Sequence, residues 1–442
     1  MVIANKKEPL ILFGGDIVFF ILALWITLLV RYFEVPSSAL FYNHLVPFSF
    51  LFVVWVLIFF IAGLYDKHTI LFKGKLPNII LNAQIVNIIL AATFFFFVPI
   101  FDIAPKTNLF IYLFISFGLI ALWRLVLAPR VSIRKRARAL IVGSGNEMKD
   151  LEYEVNNNTR YGLKFVDTIE LNVEPATDLV NRIKESVRIN NASVIVLDAK
   201  DGRIVPILPA LYSLIFQNVR FVEMSRVYED IFDRIPVTFV KENWLIDNIP
   251  LSSKLIYDVL KRLFDIIISL VVGLISLIVY PVVYILIKLD DRGSVFYISE
   301  RIGKNGKHIN IYKFRSMSEN EEEHVTRVGE FLRKTRLDEL PQLWSVLRGD
   351  LSLVGPRPEI PELASLYEEQ IPYYNIRHLI KPGLSGWAQI NDYNAPKRAQ
   401  LEVEKTETKL SYDLYYVKNR SPLVDLKIAL KTIKTLLSRT GL

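Results

Sequence analysis

Four long apolar runs, Leu10–Val30, Leu45–Leu64, Ile79–Ile100 and Leu109–Leu127, fill most of the first 128 residues. At ~1.5 Å of rise per residue, each predicts a helix long enough to cross the hydrocarbon core of a bilayer. They carry almost no ionisable residue at mid-depth, so the pattern predicts an anchor rather than an ion or proton pathway. The first run is too long for the apolar stretch of a cleaved signal, and no small-x-small site follows it. From Arg138 the texture changes. ALIVGSGN (139–146) reads as a buried strand entering a glycine turn, and ASVIVLDA (192–199) as a second buried strand. Helical spacing around them predicts a small doubly wound, Rossmann-like domain.

A fifth apolar run, 261–289, contains Pro281 directly after Tyr280. Proline inside a helix removes a hydrogen bond and clashes with the preceding turn, so a bend is expected there. Positive charge then separates a crossing helix from a re-entrant one. Lys6 and Lys7 precede the first run, Lys67, Lys73 and Lys75 lie between the second and third, and Arg130, Arg134, Lys135, Arg136 and Arg138 follow the fourth. Only Arg31 and Lys106 lie on the opposite side, so both ends of the four-helix anchor are expected in the cytoplasm. A fifth crossing would carry everything after residue 289 outside. Lys261 and Arg262 precede the run and Lys288, Arg292, Arg301, Lys304 and Lys307 follow it. Residues 262–288 are therefore expected to enter the bilayer and return to the same face.

Composition narrows the chemistry. The 442 residues contain no cysteine, which excludes disulfides, thiolate metal sites, iron–sulfur clusters and a cysteine nucleophile. The net charge of +8 accompanies no zinc-finger, basic-zipper or RNA-recognition signature, so it reads as the basic cytoplasmic loops of a membrane protein, with no nucleic-acid partner. His308, His324 and His378 show no metal-ligand spacing. In the middle domain Gly143-x-Gly145 resembles the start of a dinucleotide fingerprint, but Met148 stands where the third glycine belongs. A simple strand-to-helix turn accounts for those glycines.

The chemistry-bearing residues gather in 295–420, where glycines and prolines punctuate alternating acids and bases in the manner of a site built from loops. Asp338 and Glu339 are adjacent, and Pro341 follows at a position suited to a first helical turn. A helix start at or just before Asp338 would place both acids where backbone amides favour negative charge, keeping them ionised. One carboxylate is a candidate nucleophile and the other a candidate ligand for a hard cation such as Mg²⁺. The same dipeptide also reads as an ordinary acidic cap. Lys313 and Arg315 on a strand-like segment, Arg333 and Arg336 just before the acids, and Arg357 between Pro356 and Pro358 supply cations suited to phosphate oxygens. The run Glu319–Glu323 reads as a solvated loop.

In order along the chain, KR-x-FD (Lys261–Asp265), the proline-broken apolar helix, YKFRSM, LDELPQL, GD-x-SLVGPRP, PG-x-SGWAQ and YDLYYVKN resemble the bacterial sugar transferases. These are the polyprenyl-phosphate hexose-1-phosphate transferases, or monotopic phosphoglycosyl transferases. The resemblance covers 258 to the C-terminus, and the upstream region is similar to the family's long form, with four membrane helices and a Rossmann-like domain. It implies that Asp338 is the nucleophile on a nucleotide-sugar β-phosphate and that Glu339 holds Mg²⁺. It further implies that Lys313 and Arg357 contact substrate, and that Lys261, Arg262 and Asp265 sit in the headgroup layer. Three positions depart from the family pattern: Tyr280 where serine is frequent before Pro281, Ser345 where asparagine is common, and Leu351 for methionine. A serine hydroxyl could bond a carbonyl freed at the bend, and Tyr280 is less suited to that task.

The expected architecture is a membrane protein, an α-helical anchor plus α/β: a four-helix transmembrane anchor (1–130), a Rossmann-like domain (131–250) and an α/β transferase domain (251–442) with a re-entrant helix. The expected activity moves a hexose-1-phosphate from a UDP-sugar to undecaprenyl phosphate. The site would lie on the cytoplasmic face of the cell membrane, where exopolysaccharide, capsule or O-antigen assembly begins. A membrane-tethered nucleotide-sugar dehydratase or epimerase is the alternative, and it requires an intact glycine fingerprint and a Tyr-x-x-x-Lys pair, absent between 139 and 247. A non-catalytic scaffold of polysaccharide machinery would turn over no nucleotide sugar. The sugar transferred is open, and so is the oligomeric state, with which a homo-oligomer is compatible.

Overall fold

The computed structural model describes residues 8–65, 76–98, 105–128, 136–158, 161–171, 176–249, 254–290, 292–318, 324–391 and 403–438. The flanking charges at Lys6, Lys7, Lys67, Lys73, Lys75, Arg130, Arg134 and Lys135, and the acidic run 319–323, lie outside these residues. The chain divides into two compact units, Met1–Ile231 and Phe232–Leu442.

In the first unit, helices α1 (Glu8–Tyr32), α2 (Ser38–Ile61), α3 (Leu76–Phe97) and α4 (Pro105–Leu122) follow the four apolar runs. Their inner faces pack ring on ring, with Trp55 and Tyr112 centroids 5.1 Å apart and Phe20 and Phe59 5.3 Å apart. Their outer faces are apolar as well: Val18, Phe50, Ile89 and Phe110 are all largely exposed. Helices apolar inside and out need a hydrocarbon solvent, so this is a membrane protein. Asp16 and Arg124 are both fully buried and form a two-pronged ion pair. Tyr65 donates to Asp16 at 2.7 Å, and Arg124 donates to the Leu64 carbonyl at 2.7 Å. A π-helical turn, Trp123–Leu127, extends α4 and carries Arg124 inward, a local irregularity that apolar periodicity does not reveal. The charges neutralise one another at the mouth of the bundle, which agrees with an anchor.

The middle region holds strands β1 (Ala137–Gly143), β2 (Leu163–Glu170), β3 (Val194–Leu197) and β4 (Arg220–Glu223) in a parallel sheet of order β2-β1-β3-β4. Helix α5 (Asn146–Asn157) follows β1, and α6 (Ala176–Asn190) follows β2. Gly145 turns the chain with φ 91°. Met148 is fully buried and packs with Met224 beside Gly143. Both thioethers lie against Gly143, so this side of the turn is packed by side chains of the domain itself.

The second unit begins with Ile235, Val240 and Trp244, which join the core of Tyr374, Trp387, Leu414, Tyr416 and Ile428. Residues 232–249, assigned from sequence to the middle domain, thus contribute their apolar side chains to the C-terminal unit. Helix α7 (Leu255–Ser276) meets α8 (Tyr280–Asp290) at a 57° bend. The break falls at residues 277–279, and Pro281 occupies the first turn of α8, where its missing N–H costs nothing. Ser276, rather than residue 280, satisfies a carbonyl at the bend by donating to Gly273 at 2.6 Å.

Both ends of this helix pair are tied to the same folded body. On the α7 side, Lys261 meets Asp425 at 2.9 Å, and the Asp265 carboxylate accepts the Leu353 amide at 3.1 Å. On the α8 side, Val283 and Ile287 pack with Phe314 and Leu332. The tip between them presents Ile275, Ile278 and Val282 outward. Two short sheets complete the unit: β5 (Phe296–Ile302) antiparallel to β6 (His308–Phe314), and β7 (Ser352–Val354) parallel to β8 (Gly383–Ser385).

Candidate active site

Asp338 and Glu339 sit in a single 3₁₀ turn, Leu337–Glu339, between α9 (Arg327–Thr335) and α10 (Gln342–Arg348). Arg336 adopts a left-handed conformation (φ 55°) and reverses the chain so that the turn follows at once. The α-helix proper starts three residues after Glu339 and is only seven residues long, so the helix-end explanation for the acids is corrected. Side-chain cations supply the field instead.

Three of them surround Glu339. Lys313 lies 3.0 Å and Arg357 3.7 Å from Oε1, and Arg336 lies 3.6 Å from Oε2. Lys313 comes from β6, Arg336 from the left-handed corner and Arg357 from the GPRP loop. Burial would raise the Glu339 pKa, but Lys313, Arg357 and Arg336 outweigh it and hold the carboxyl at about 2. Asp338 goes the other way. Burial first, and then the charge of Glu339, push it above the ordinary aspartate value against the pull of Lys313, Arg333 and Arg336. Both acids were expected to be held ionised by a helix end; the cations do this for Glu339, while burial and Glu339 make Asp338 the more basic of the two. The pair is split, with one permanent anion and one more basic carboxylate, an arrangement suited to separate roles.

The remaining predicted cations divide by partner. Arg333 donates to the Ser316 hydroxyl at 2.8 Å and acts electrostatically on Asp338. Arg315 is buried, and its guanidinium donates to the carbonyls of Ser294 and Met317, so it braces the loop after β6. Arg357 is half exposed, leaving part of its fork open to an incoming anion.

Sequence reasoning missed what holds Arg357. Its loop interlocks with the PG-x-SG segment: the Gly355 amide donates to Ser385 at 2.8 Å, and the Gly383 amide donates to Pro356 at 2.9 Å. A Cβ on Gly383 would stand 2.1 Å from the Gly355 nitrogen, so both positions need glycine for the backbones to touch. Behind the loop, Arg377 donates to the Arg357 carbonyl at 2.9 Å and to the Tyr374 hydroxyl at 2.5 Å, and forms an ion pair with Asp413 at 2.8 Å. Arg377 and Asp413 are both buried. The signal in the sequence was the Asp413 of YDLYYVKN and the glycines of PG-x-SG, neither of which carries chemistry by itself.

The site offers a cation such as Mg²⁺ only oxygen donors. Among the described residues no cluster of three His, Cys, Asp or Glu could hold a metal alone. The Asp338–Glu339 pair fits an ion that takes one or two carboxylates and draws its other ligands from substrate phosphates and water. Glu339 Oε2, whose cation Arg336 stands beyond hydrogen-bond range at 3.6 Å, offers such an ion an oxygen.

The bacterial sugar transferase profile matches residues 256–439, the region that builds this site. Over 196 residues the chain is 39% identical to the exopolysaccharide production protein PSS of Rhizobium leguminosarum bv. phaseoli, covering 41% of this chain and 96% of that protein. It is 38% identical over 237 residues to the UDP-N-acetylgalactosamine-undecaprenyl-phosphate N-acetylgalactosaminephosphotransferase of Aeromonas hydrophila, covering 51% of this chain and 54% of that protein. To the UDP-glucose:undecaprenyl-phosphate glucose-1-phosphate transferase of Klebsiella pneumoniae it is 40% identical over 189 residues, covering 40% and 39% of the two. The matched segments thus span about half or less of the Aeromonas and Klebsiella proteins. With nearly the whole Rhizobium protein matched, and the profile lying over the acid pair and its cations, the chain belongs to the bacterial sugar transferase family.

Proposed function

We propose that the protein transfers a hexose-1-phosphate from a UDP-sugar to undecaprenyl phosphate, giving a polyprenyl-diphospho-sugar and UMP. The observation that carries this reading is the split acid pair: a basic carboxylate, Asp338, beside an anion ringed by Lys313, Arg336 and Arg357. The names of the Aeromonas and Klebsiella relatives support the donor and acceptor classes.

In the first step an Asp338 oxygen attacks the β-phosphorus of the donor. The bond to the bridging oxygen breaks, and UMP leaves with the electron pair. Arg357 and Lys313 hold phosphate oxygens as charge shifts toward the leaving group, and Arg336 and Arg333 keep the surroundings cationic. In the second step an oxygen of the lipid phosphate attacks the same phosphorus, the bond to Asp338 breaks, and the carboxylate is restored. Mg²⁺ held by Glu339 would neutralise phosphoryl charge when bound. One phosphoanhydride replaces another, so neither direction is strongly favoured. On this reading α7–α8 enters and leaves by the cytoplasmic face, so that a soluble donor and a lipid acceptor both reach the site at headgroup level.

Wild-type protein given UDP-sugar without lipid should release about one UMP per active site, as a covalent intermediate requires. The sugar phosphate should then appear on a peptide containing Asp338, and Asp338→Asn should lose nearly all turnover. UMP release only after lipid is added, with no adduct, would establish direct transfer instead. A screen of UDP-sugars in the same assay identifies the sugar.

A further inference from the structure

Along β5 the exposed side chains change in kind. Phe296, Tyr297 and Ile298 are aromatic or apolar, and the Phe296 ring lies 6.4 Å from that of Tyr280 at the break in the membrane helix. Arg301 stands about 17 Å further along the strand, at ~3.3 Å per residue, and Lys304 and Lys307 follow it. The strand therefore runs from the membrane helix toward water. Tyr297 pairs directly with Lys313 across the hairpin, so Tyr297, Ser299 and Arg301 share the strand face from which Lys313 reaches Glu339. The end of β5 is tied to the loop that carries Arg357, since the Ile302 amide donates to the Glu359 carbonyl at 2.9 Å. Arg301 thus stands next to the Arg357 loop, at the end of β5 away from the membrane helix.

The Arg301 guanidinium is half-buried, yet it has no hydrogen-bond acceptor and no ion-pair partner among the described residues. Burial pulls its pKa below the usual arginine value and Arg357 adds to this, against the opposing pull of Glu359, Tyr297 and Glu362. The Glu359 carboxylate is engaged elsewhere: it accepts the Ile360 amide at 3.3 Å and lies 3.9 Å from Arg377. Five N–H donors without an acceptor, beside a second arginine, suit an anion with several oxygens. We propose that Arg301 holds the phosphate that leaves with the nucleotide, one phosphate beyond the one that Asp338 attacks. Its place on β5 selects that phosphate over the lipid's. A lipid phosphate arrives from the membrane-helix side, whereas a water-soluble nucleotide reaches the charged end of the strand. The inference rests on the proposed transfer and adds to it a residue that holds the leaving group.

The test measures UMP binding by calorimetry, using full-length protein in detergent with Mg²⁺ present. Arg301→Gln should weaken UMP about ten-fold or more, raise the KM for the UDP-sugar and leave the KM for polyprenyl phosphate unchanged. Arg301→Lys keeps the charge without the fork, so its UMP affinity should lie between the two, and it decides the matter alone where Arg301→Gln does not fold. Glu359→Gln separates binding from bracing. If Arg301 served only to hold Glu359, both substitutions would weaken UMP alike; as a phosphate ligand, Arg301 is needed for affinity and the Glu359 carboxylate is not. Equal UMP affinity in wild type and Arg301→Gln, equal losses in Arg301→Gln and Glu359→Gln, or a raised KM for the lipid alone would overturn the assignment and leave the transfer standing. Wild-type protein that binds no UMP would overturn the UDP-sugar reading instead, and with it this assignment.

Discussion

The indole Nε1 of Trp344 donates to the hydroxyl of Tyr280 across 3.2 Å, joining the break in the membrane helix to the helix that follows the acid pair. The Tyr280 ring also packs edge-on against Phe314, 4.8 Å between centroids, and Phe314 follows Lys313 on β6. One side chain thus touches both elements that bring Lys313 and Glu339 together. Tyr280→Phe keeps the ring and removes the hydroxyl, a loss of about 1 kcal/mol of local stability. The expected outcome is turnover reduced several-fold with the bend preserved. Kinetics of Tyr280→Phe beside Trp344→Phe check this, and the double variant should lose little more than either single one.

The acid pair predicts a signed pH dependence. Glu339 is held at about 2 against an ordinary value of 4.5, so it contributes stability that is fully present above 4.5 and lost as pH falls toward 2. Glu339→Gln has no such group to titrate. Thermal melts taken from neutral pH down to about 3 should show wild type losing more stability than the variant. Asp338 is shifted upward, so the UMP burst should fall on acidification with a midpoint above the usual aspartate value.

The ion pair behind the GPRP loop should matter at a distance. Asp413→Asn leaves buried Arg377 with only the more distant Glu359, at 3.9 Å, as counter-charge, a loss on the order of 3 kcal/mol for a buried pair. Arg377 would then hold the Arg357 carbonyl less firmly. The expected signature is a lowered melting temperature with a raised KM for the UDP-sugar. An unchanged KM in folded Asp413→Asn would assign the pair to stability alone.

Topology is tested with single cysteines, since the chain has none of its own. Ile256→Cys, in the first turn of α7, and Ser294→Cys, just after α8, are at exposed positions. Both should be labelled only from the cytoplasmic side. Labelling of Ser294→Cys from outside would make the bent pair a fifth crossing.

Apolar run length was enough to predict the four membrane helices, because a bilayer core sets a minimum span that local composition satisfies or does not. Pro281 marked a bend for a similarly local reason. The motifs around Asp338 and Arg357 were legible because acids, cations, glycines and prolines in fixed order leave few alternatives to a phosphate site. What the chain order did not carry was which groups face one another. The opposite shifts of Asp338 and Glu339 depend on Lys313 from a strand 25 residues upstream and Arg357 from a loop 19 residues downstream. Arg315 and Arg357 look alike in sequence, yet burial against carbonyls committed one to the scaffold and left the other half open. The Asp16–Arg124 pair required a π-helical turn, and Ser276 took the place at the bend expected of residue 280. Spans, turns and breaks follow from short-range sterics and solvent transfer, which sequence encodes directly. Charge partnership depends on distances of a few ångströms between segments far apart in the chain, and only the tertiary fold sets those.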